Sequence, residues 1–224
     1  MRKRRVGVLV VLLMGLLALI IMRPQFFQQA VDEVAAPLID TVDSSGASSS
    51  ALEKLNALEV KGRAAKTGYA RTEFGNGWGK IQGCSVRQVI LVRDLKQVVM
   101  KDECTVESGV LDDPYTGETI HFNRAQSAAV QIDHVVALSD AWQKGAQYLS
   151  KEHRIALAND SLNLLASDGP ANQQKGDADA ATWLPKNKAF RCAYIERQIE
   201  VKAAYQLWVT PAEKEAMVRV LSSC

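Results

Sequence analysis

The chain has 224 residues, 47% of them hydrophobic and 23% charged, with 27 Lys and Arg against 25 Asp and Glu. That suits one globular domain with modest additions. Residues 1–23 carry five basic residues and no acid, which leaves residues 24–224 with 22 basic against 25 acidic, a net of −3. Attraction of polyanions by overall charge is therefore excluded, and any contact with nucleic acid needs a local basic patch.

Arg2, Lys3, Arg4 and Arg5 precede an uncharged run of 17 residues, Val6–Met22. The run lies at the short end of a membrane span and exceeds most signal-peptide cores. Residues 1–23 are expected to be a signal anchor or signal peptide. Its basic cluster stays in the cytoplasm and the rest of the chain outside, membrane-anchored or secreted. Residues 24–50, ending in "DTVDSSGASSS", read as a flexible linker, and 51–224 as the domain. Leu52, Leu55 and Leu58 recur at helical spacing, with Ser50 and Glu53 placed for a capping box. After the Gly-rich "EFGNGWGKIQG", the segment "CSVRQVILVRDL" fits a helix over 85–94 or a strand equally well. From "QVVM" to "TIHF" the pattern is strands joined by turns at Asp113-Pro114 and Thr116-Gly117.

"VQIDHVVAL" predicts a buried strand ending near His134. Two short helices follow, "SDAWQKGAQYL" and "SKEHRIALAND", the second capped by Ser150. "SLNLLAS" predicts another strand. "DGPANQQKGD" opens a helix, with Asp168 or Gly169 as cap and Pro170 in first position. A long amphipathic helix covers "NKAFRCAYIERQIEVKAAYQLW", and Thr210-Pro211 starts the last one. The four cysteines, Cys84, Cys104, Cys192 and Cys224, are an even set in a segment expected to leave the cytoplasm, which predicts two disulfides. Cys84–Cys104 and Cys192–Cys224 are favoured among the three connectivities because each closes a short loop. The absence of any CxxC argues against a four-thiolate zinc site.

The chemistry concentrates in the second half. Asp133 and His134 sit at a strand end, Asn163 at the next strand, Asn172 and Lys175 on the following helix. A strand–strand–helix unit brings these places into one cleft. The Asp133 carboxylate and the Asn172 amide oxygen are hard donors that suit Mg²⁺, or Mn²⁺. His134 is then free to take a proton from water. Neighbouring strand residues face opposite sides, so the strand must end or bulge at this pair.

These residues, "IDHVVALSDAW" with "LNLLASDGPANQQKGD", resemble the HNH endonucleases, also called His-Me finger or ββα-metal nucleases. The pattern is Asp133-His134-Val135, then Asn163-Leu164, then Asn172-Gln173-Gln174-Lys175. The likeness is nearest to a secreted bacterial branch and to the nuclease domain of modification-dependent restriction enzymes. The resemblance extends from about residue 60 to the C-terminus. It implies an α+β fold: a ββα-metal core at about 128–180, embedded in a mostly helical domain with a small N-terminal strand region. It implies His134 as general base, Asp133 and Asn172 as metal ligands, Asn163 pinning the loop between the strands, and Lys175 on phosphate. Asn172 stands where the family often has histidine, which tilts the metal toward magnesium. The connection between the strands is long, as if to carry specificity or cover the cleft.

The bland readings cover most other polar residues. His121 reads as a strand residue facing solvent or a disulfide loop, and His153 as a solvated helix residue. Asp177 and Asp179 read as a solvated face and Asp168 as a cap. Trp142 and Trp183 read as core, and Tyr194, Ile195, Ile199 and Tyr205 as a core stripe. Arg87, Arg93, Lys144, Lys186, Lys188 and Arg191 are candidates for the basic patch, with Arg93 and Lys144 taken as substrate contacts. The expectation is a monomeric, metal-dependent endonuclease acting outside the cytoplasm, on DNA first and without a small-molecule cofactor. The alternative is an inactive nucleic-acid-binding or cell-envelope module.

Overall fold

The structure, a computed structural model, describes residues 44–224. The expected signal anchor or signal peptide and most of the expected linker lie outside the described residues. Helix α1 (Ser44–Ala57) takes up the end of the stretch expected to be linker. Ser50 is therefore inside the helix and does not cap it. Ala51 and Leu55 are buried in the main core cluster, an anchor that a purely local reading of a Ser-rich run cannot supply. No helix among the described residues is long and apolar enough to cross a membrane.

The fold is α+β. A two-stranded ribbon, β1 (Lys80–Ile81) and β2 (Cys84–Ser85), leads into α2 (Val86–Asp94), so the ambiguous segment is helical. Val86, Ile90 and Leu91 supply its buried face, and their spacing is that of one side of a helix. A three-stranded antiparallel sheet follows: β3 (Lys96–Met100), β4 (Val106–Asp112) and β5 (Thr119–Asn123). Asp113 builds the β4–β5 turn, accepting from the Thr116 amide at 2.7 Å and its hydroxyl at 2.6 Å.

Strands β6 (Val130–His134) and β7 (Leu164–Asp168) form a separate antiparallel pair, with Asp133 opposite Leu165 and His134 opposite Leu164. Helices α3 (Leu138–Gln143) and α4 (Lys151–Asn159) lie in the connection between them. Helix α5 (Gly169–Lys175) continues directly from β7. The Asp168 side chain caps it, accepting from the Ala171 amide at 2.8 Å, and Pro170 occupies its first turn. Gly169 is required by close approach: a β-carbon there would stand 2.2 Å from the Ala128 carbonyl oxygen. Its amide donates to the Ala129 carbonyl at 2.9 Å, which seats the start of α5 on the entry to β6.

The outer edge of β7 has no third strand, and charged side chains serve it instead. Asp94 accepts from the Ala166 amide at 2.8 Å, while Arg93 and Arg197 donate to the Leu164 carbonyl at 2.6 and 2.7 Å. Helices α6 (Arg191–Ala204) and α7 (Pro211–Leu221) complete the fold. Tyr194, Ile195 and Ile199 of α6 and Met217 and Leu221 of α7 are buried together with α1. Helix α7 carries the full capping box of Thr210 and Glu213 with Pro211 in its first turn. The disulfides join Cys84 to Cys104 and Cys192 to Cys224.

Candidate active site

Strand β6 runs through both Asp133 and His134, so the two side chains alternate, Asp133 reaching Tyr115 and Lys175 and His134 reaching Ala158 and Trp78. Asp133, His134 and Asn172 line one open cleft of about 430 Å³, together with Arg71, Trp78, Arg87 and Gln131. Its wall mixes polar and apolar side chains from β6, α5, α2, the start of α3 and the segment before β1.

His134 is nearly buried. Its Nε2 lies 2.9 Å from the Ala158 carbonyl oxygen. That carbonyl belongs to the last turn of α4, where helical carbonyls lack an intrahelical partner. Nε2 therefore carries the proton and donates, which leaves the lone pair on Nδ1. The Trp78 indole stacks on the imidazole, with ring centroids 5.6 Å apart and planes 8° from parallel. Burial is the main reason the pKa of His134 is lowered, to about 4; the imidazole is neutral at pH 7.

Asn163 is fully buried and pins the loop after β6. Its Oδ1 accepts from the Val136 amide at 2.8 Å, and its Nδ2 donates to the Val136 carbonyl at 3.2 Å. Asn163 thus fixes the backbone two residues beyond the imidazole.

Asp133 is also buried, and its carboxylate is engaged from behind. Lys175 donates to Oδ1 at 3.0 Å and to the His134 carbonyl at 2.9 Å, and stands 2.9 Å from Oδ2. The Tyr115 hydroxyl donates to Oδ2 at 2.5 Å. Burial first, and then the Asp133 charge, raise the Tyr115 pKa well above its ordinary value, so the phenol stays protonated. Asn172 donates through Nδ2 to Gln131 Oε1 at 2.9 Å. That bond turns its Oδ1 away from Gln131, and no hydrogen bond to Oδ1 occurs among the described residues.

Three expected substrate contacts are corrected. Lys175 does not face the cleft; it is 1% exposed and spends its ammonium on Asp133. Lys144 is fully buried in an ion cluster, 2.8 Å from Asp140, 2.8 Å from Asp179 and 2.6 Å from Glu213. Lys202 and Arg63 join the same acids, so three cations meet three carboxylates. Burial works against the charge on Lys144, but Asp140 and Glu213 outweigh it and raise its pKa. Asp179 is likewise buried and not on a solvated face. Arg93 serves the edge of β7, as above. Asp177 is the exposed member of that pair, holding Lys66 at 3.0 Å. Among the basic-patch candidates only Arg87 lines the cleft. Arg71, Trp78 and Tyr115 were missed, because arginines carry no periodic signal and lone aromatics in Gly- and Pro-rich turns read as packing.

The fit to a hard divalent ion rests on the donor set. Asp133 and Asn172, a carboxylate residue and an amide residue, line the cleft with a neutral imidazole, a donor set of the magnesium type. Among the described residues no group of three His, Cys, Asp or Glu side chains is placed to hold a metal ion.

A family model described as "GmrSD restriction endonucleases, C-terminal domain" matches residues 90–220. An "Uncharacterized secreted protein" of Arthroderma benhamiae is 36% identical over 199 residues, covering 87% of this chain and 95% of that protein. No solved structure matches. The matched segment contains β6, β7 and α5 with the whole Asp133, His134, Asn163 and Asn172 constellation. The chain belongs to the family of GmrSD restriction endonuclease C-terminal domains.

Proposed function

We propose that the protein is a divalent-metal-dependent endonuclease that hydrolyses phosphodiester bonds of DNA outside the cytoplasm. On this reading β6, β7 and α5 are a ββα-metal unit of the HNH type. One observation carries the proposal. His134 has Nε2 committed to a helix-end carbonyl and Nδ1 left basic, in the same cleft as the Asp133 carboxylate and the Asn172 amide.

The chain's own residues divide the work as follows. Nδ1 of His134 accepts a proton from a water molecule as its oxygen attacks phosphorus, and the opposite P–O bond breaks. The departing oxygen takes its proton from solvent. Trp78 holds the plane of the imidazole, and the Asn163 loop holds its backbone. Arg71 and Arg87, at the cleft wall, bind the phosphate oxygens. Asp133 and Asn172 would hold the ion. Bound there, magnesium or manganese offsets the charge that grows on the phosphate and leaving oxygen.

The extracytoplasmic setting draws on the two disulfides and on the printed name of the fungal relative. The basic and apolar start of the chain, as signal anchor or signal peptide, supplies the route out. All the site residues come from one chain, so a monomer suffices.

A plasmid-nicking assay with magnesium, with and without chelator, tests the proposal. His134→Ala is expected to slow cleavage by about 10²–10⁴-fold. Parental cleavage by His134→Ala, or the same rate in chelator, refutes it. No cleavage by the parent with magnesium or manganese returns the binding-module reading.

A further inference from the structure

We infer that the ion and the nucleic acid bind this site together, because Lys175 cancels the charge of the site's single carboxylate before either arrives. The inference rests on the nuclease reading above and concerns the order of assembly.

Among the described residues Asp133 is the only carboxylate residue lining the cleft. Metal sites of the magnesium type gain affinity mainly from negative charge on their oxygen ligands. Here that charge is already met: the buried Lys175 ammonium stands 2.9–3.0 Å from both carboxylate oxygens. Lys175 is one helical turn from Asn172, so the residue that supplies the amide donor also brings the competing cation. Tyr115 takes a second hydrogen bond at Oδ2. Oδ2 is thus occupied twice and Oδ1 once, which leaves Oδ1 as the open donor of the carboxylate.

Arg71 and Arg87 also line the cleft. One carboxylate is then set against three cations, so a divalent ion entering the free protein meets a site of positive charge. A phosphodiester reverses that balance. Its oxygens pair with the two arginines and complete the ligand shell that one carboxylate and one amide leave open. Each partner raises the affinity for the other, and by linkage the factor is the same in both directions. Lys175 and Tyr115 are positioning residues here. They fix the Asp133 rotamer and neither touches the phosphate.

The test uses full-length protein carrying His134→Ala, which keeps the metal-side residues and prevents turnover. Free Mn²⁺ is followed by its electron paramagnetic resonance signal as the protein is titrated, with and without a short DNA duplex. Duplex alone and the double variant His134→Ala/Asn172→Ala serve as controls. The expected result is no stoichiometric uptake by the protein alone. With duplex present, one Mn²⁺ per chain beyond the duplex control is expected, at least tenfold tighter, and lost with Asn172→Ala. Equal uptake with and without duplex overturns the coupling while preserving the metal site. No uptake in either state overturns the coupling and the metal-dependent reading together. Lys175→Met gives the second arm: if it folds, uptake by the free protein rises at least tenfold. Unchanged weak uptake by a folded Lys175→Met removes Lys175 as the cause.

Discussion

Lys144 separates the sequence expectation from the structural one in a single substitution. Read as a surface cation it should touch nucleic acid, but in the structure it stands within 2.8 Å of three carboxylates with no exposed side chain. Lys144→Met keeps most of the side-chain volume and removes the charge, which leaves Arg63 and Lys202 to face Asp140, Asp179 and Glu213. At an effective dielectric constant of about 20, one pair at this distance attracts by roughly 6 kcal/mol before the cost of desolvation is taken off. Measured losses on breaking a buried pair from one side are about 3–5 kcal/mol, and that is the expected destabilisation. It is a large part of the ~5–15 kcal/mol that holds a domain together. Urea unfolding at pH 7 with disulfides intact should show the midpoint lowered by about 1.5–2.5 M for a slope near ~2 kcal/mol per molar. Adding Glu213→Gln should recover part of the loss, because it returns the cluster to charge balance. Steady-state cleavage, measured well below the transition, should keep its KM. A stability loss under about 1 kcal/mol with a several-fold rise in KM for DNA would refute the burial argument and restore Lys144 to the substrate surface.

Two further outcomes follow from the same structure. The His134 ring, titrated by NMR, should show an apparent pKa near 4. Because the folded value is depressed, His134 contributes stability above about pH 6.5 that is lost as pH falls from there toward 4; a value at or above 6.5 contradicts it. Replacing Cys192 and Cys224 together by serine opens a 32-residue loop and should cost about 4 kcal/mol by loop entropy. A change below about 1 kcal/mol in the urea unfolding free energy counts against the loop argument.

Much of the fold around the site was legible because the signals are local. Asp168-Gly169-Pro170 marks the start of α5, a Thr-Pro with Glu at the third position marks α7, and the strand pattern stops at His134. The loop-pin reading of Asn163 comes from the family resemblance and not from a local signal. What failed depends on distance in the chain. Lys144 and Lys175 look like surface residues because their acids lie up to 69 and 42 positions away. Only the start of the Ser44–Ala57 helix, residues 44–50, reads as linker; the helix is anchored by α6 and α7, far downstream, which supply the surface that Ala51 and Leu55 bury. Tyr115 sits in a turn whose place beside β6 is set by the Asp168 amide donating to Asp113 at 2.8 Å, a bond between residues 55 apart.

The excursion between β6 and β7 has a fixed phase as well as a length. Its helix α4 ends by presenting the Ala158 carbonyl to the imidazole. One residue inserted within α4 would turn its end by about 100° and advance it by about 1.5 Å, aiming that oxygen elsewhere. The segment ahead of α4 is tied down too, by buried Ala146 and by Arg154 donating to the Leu149 carbonyl at 2.6 Å, although Tyr148 is largely exposed. The helix must keep its register for the imidazole to keep its tautomer.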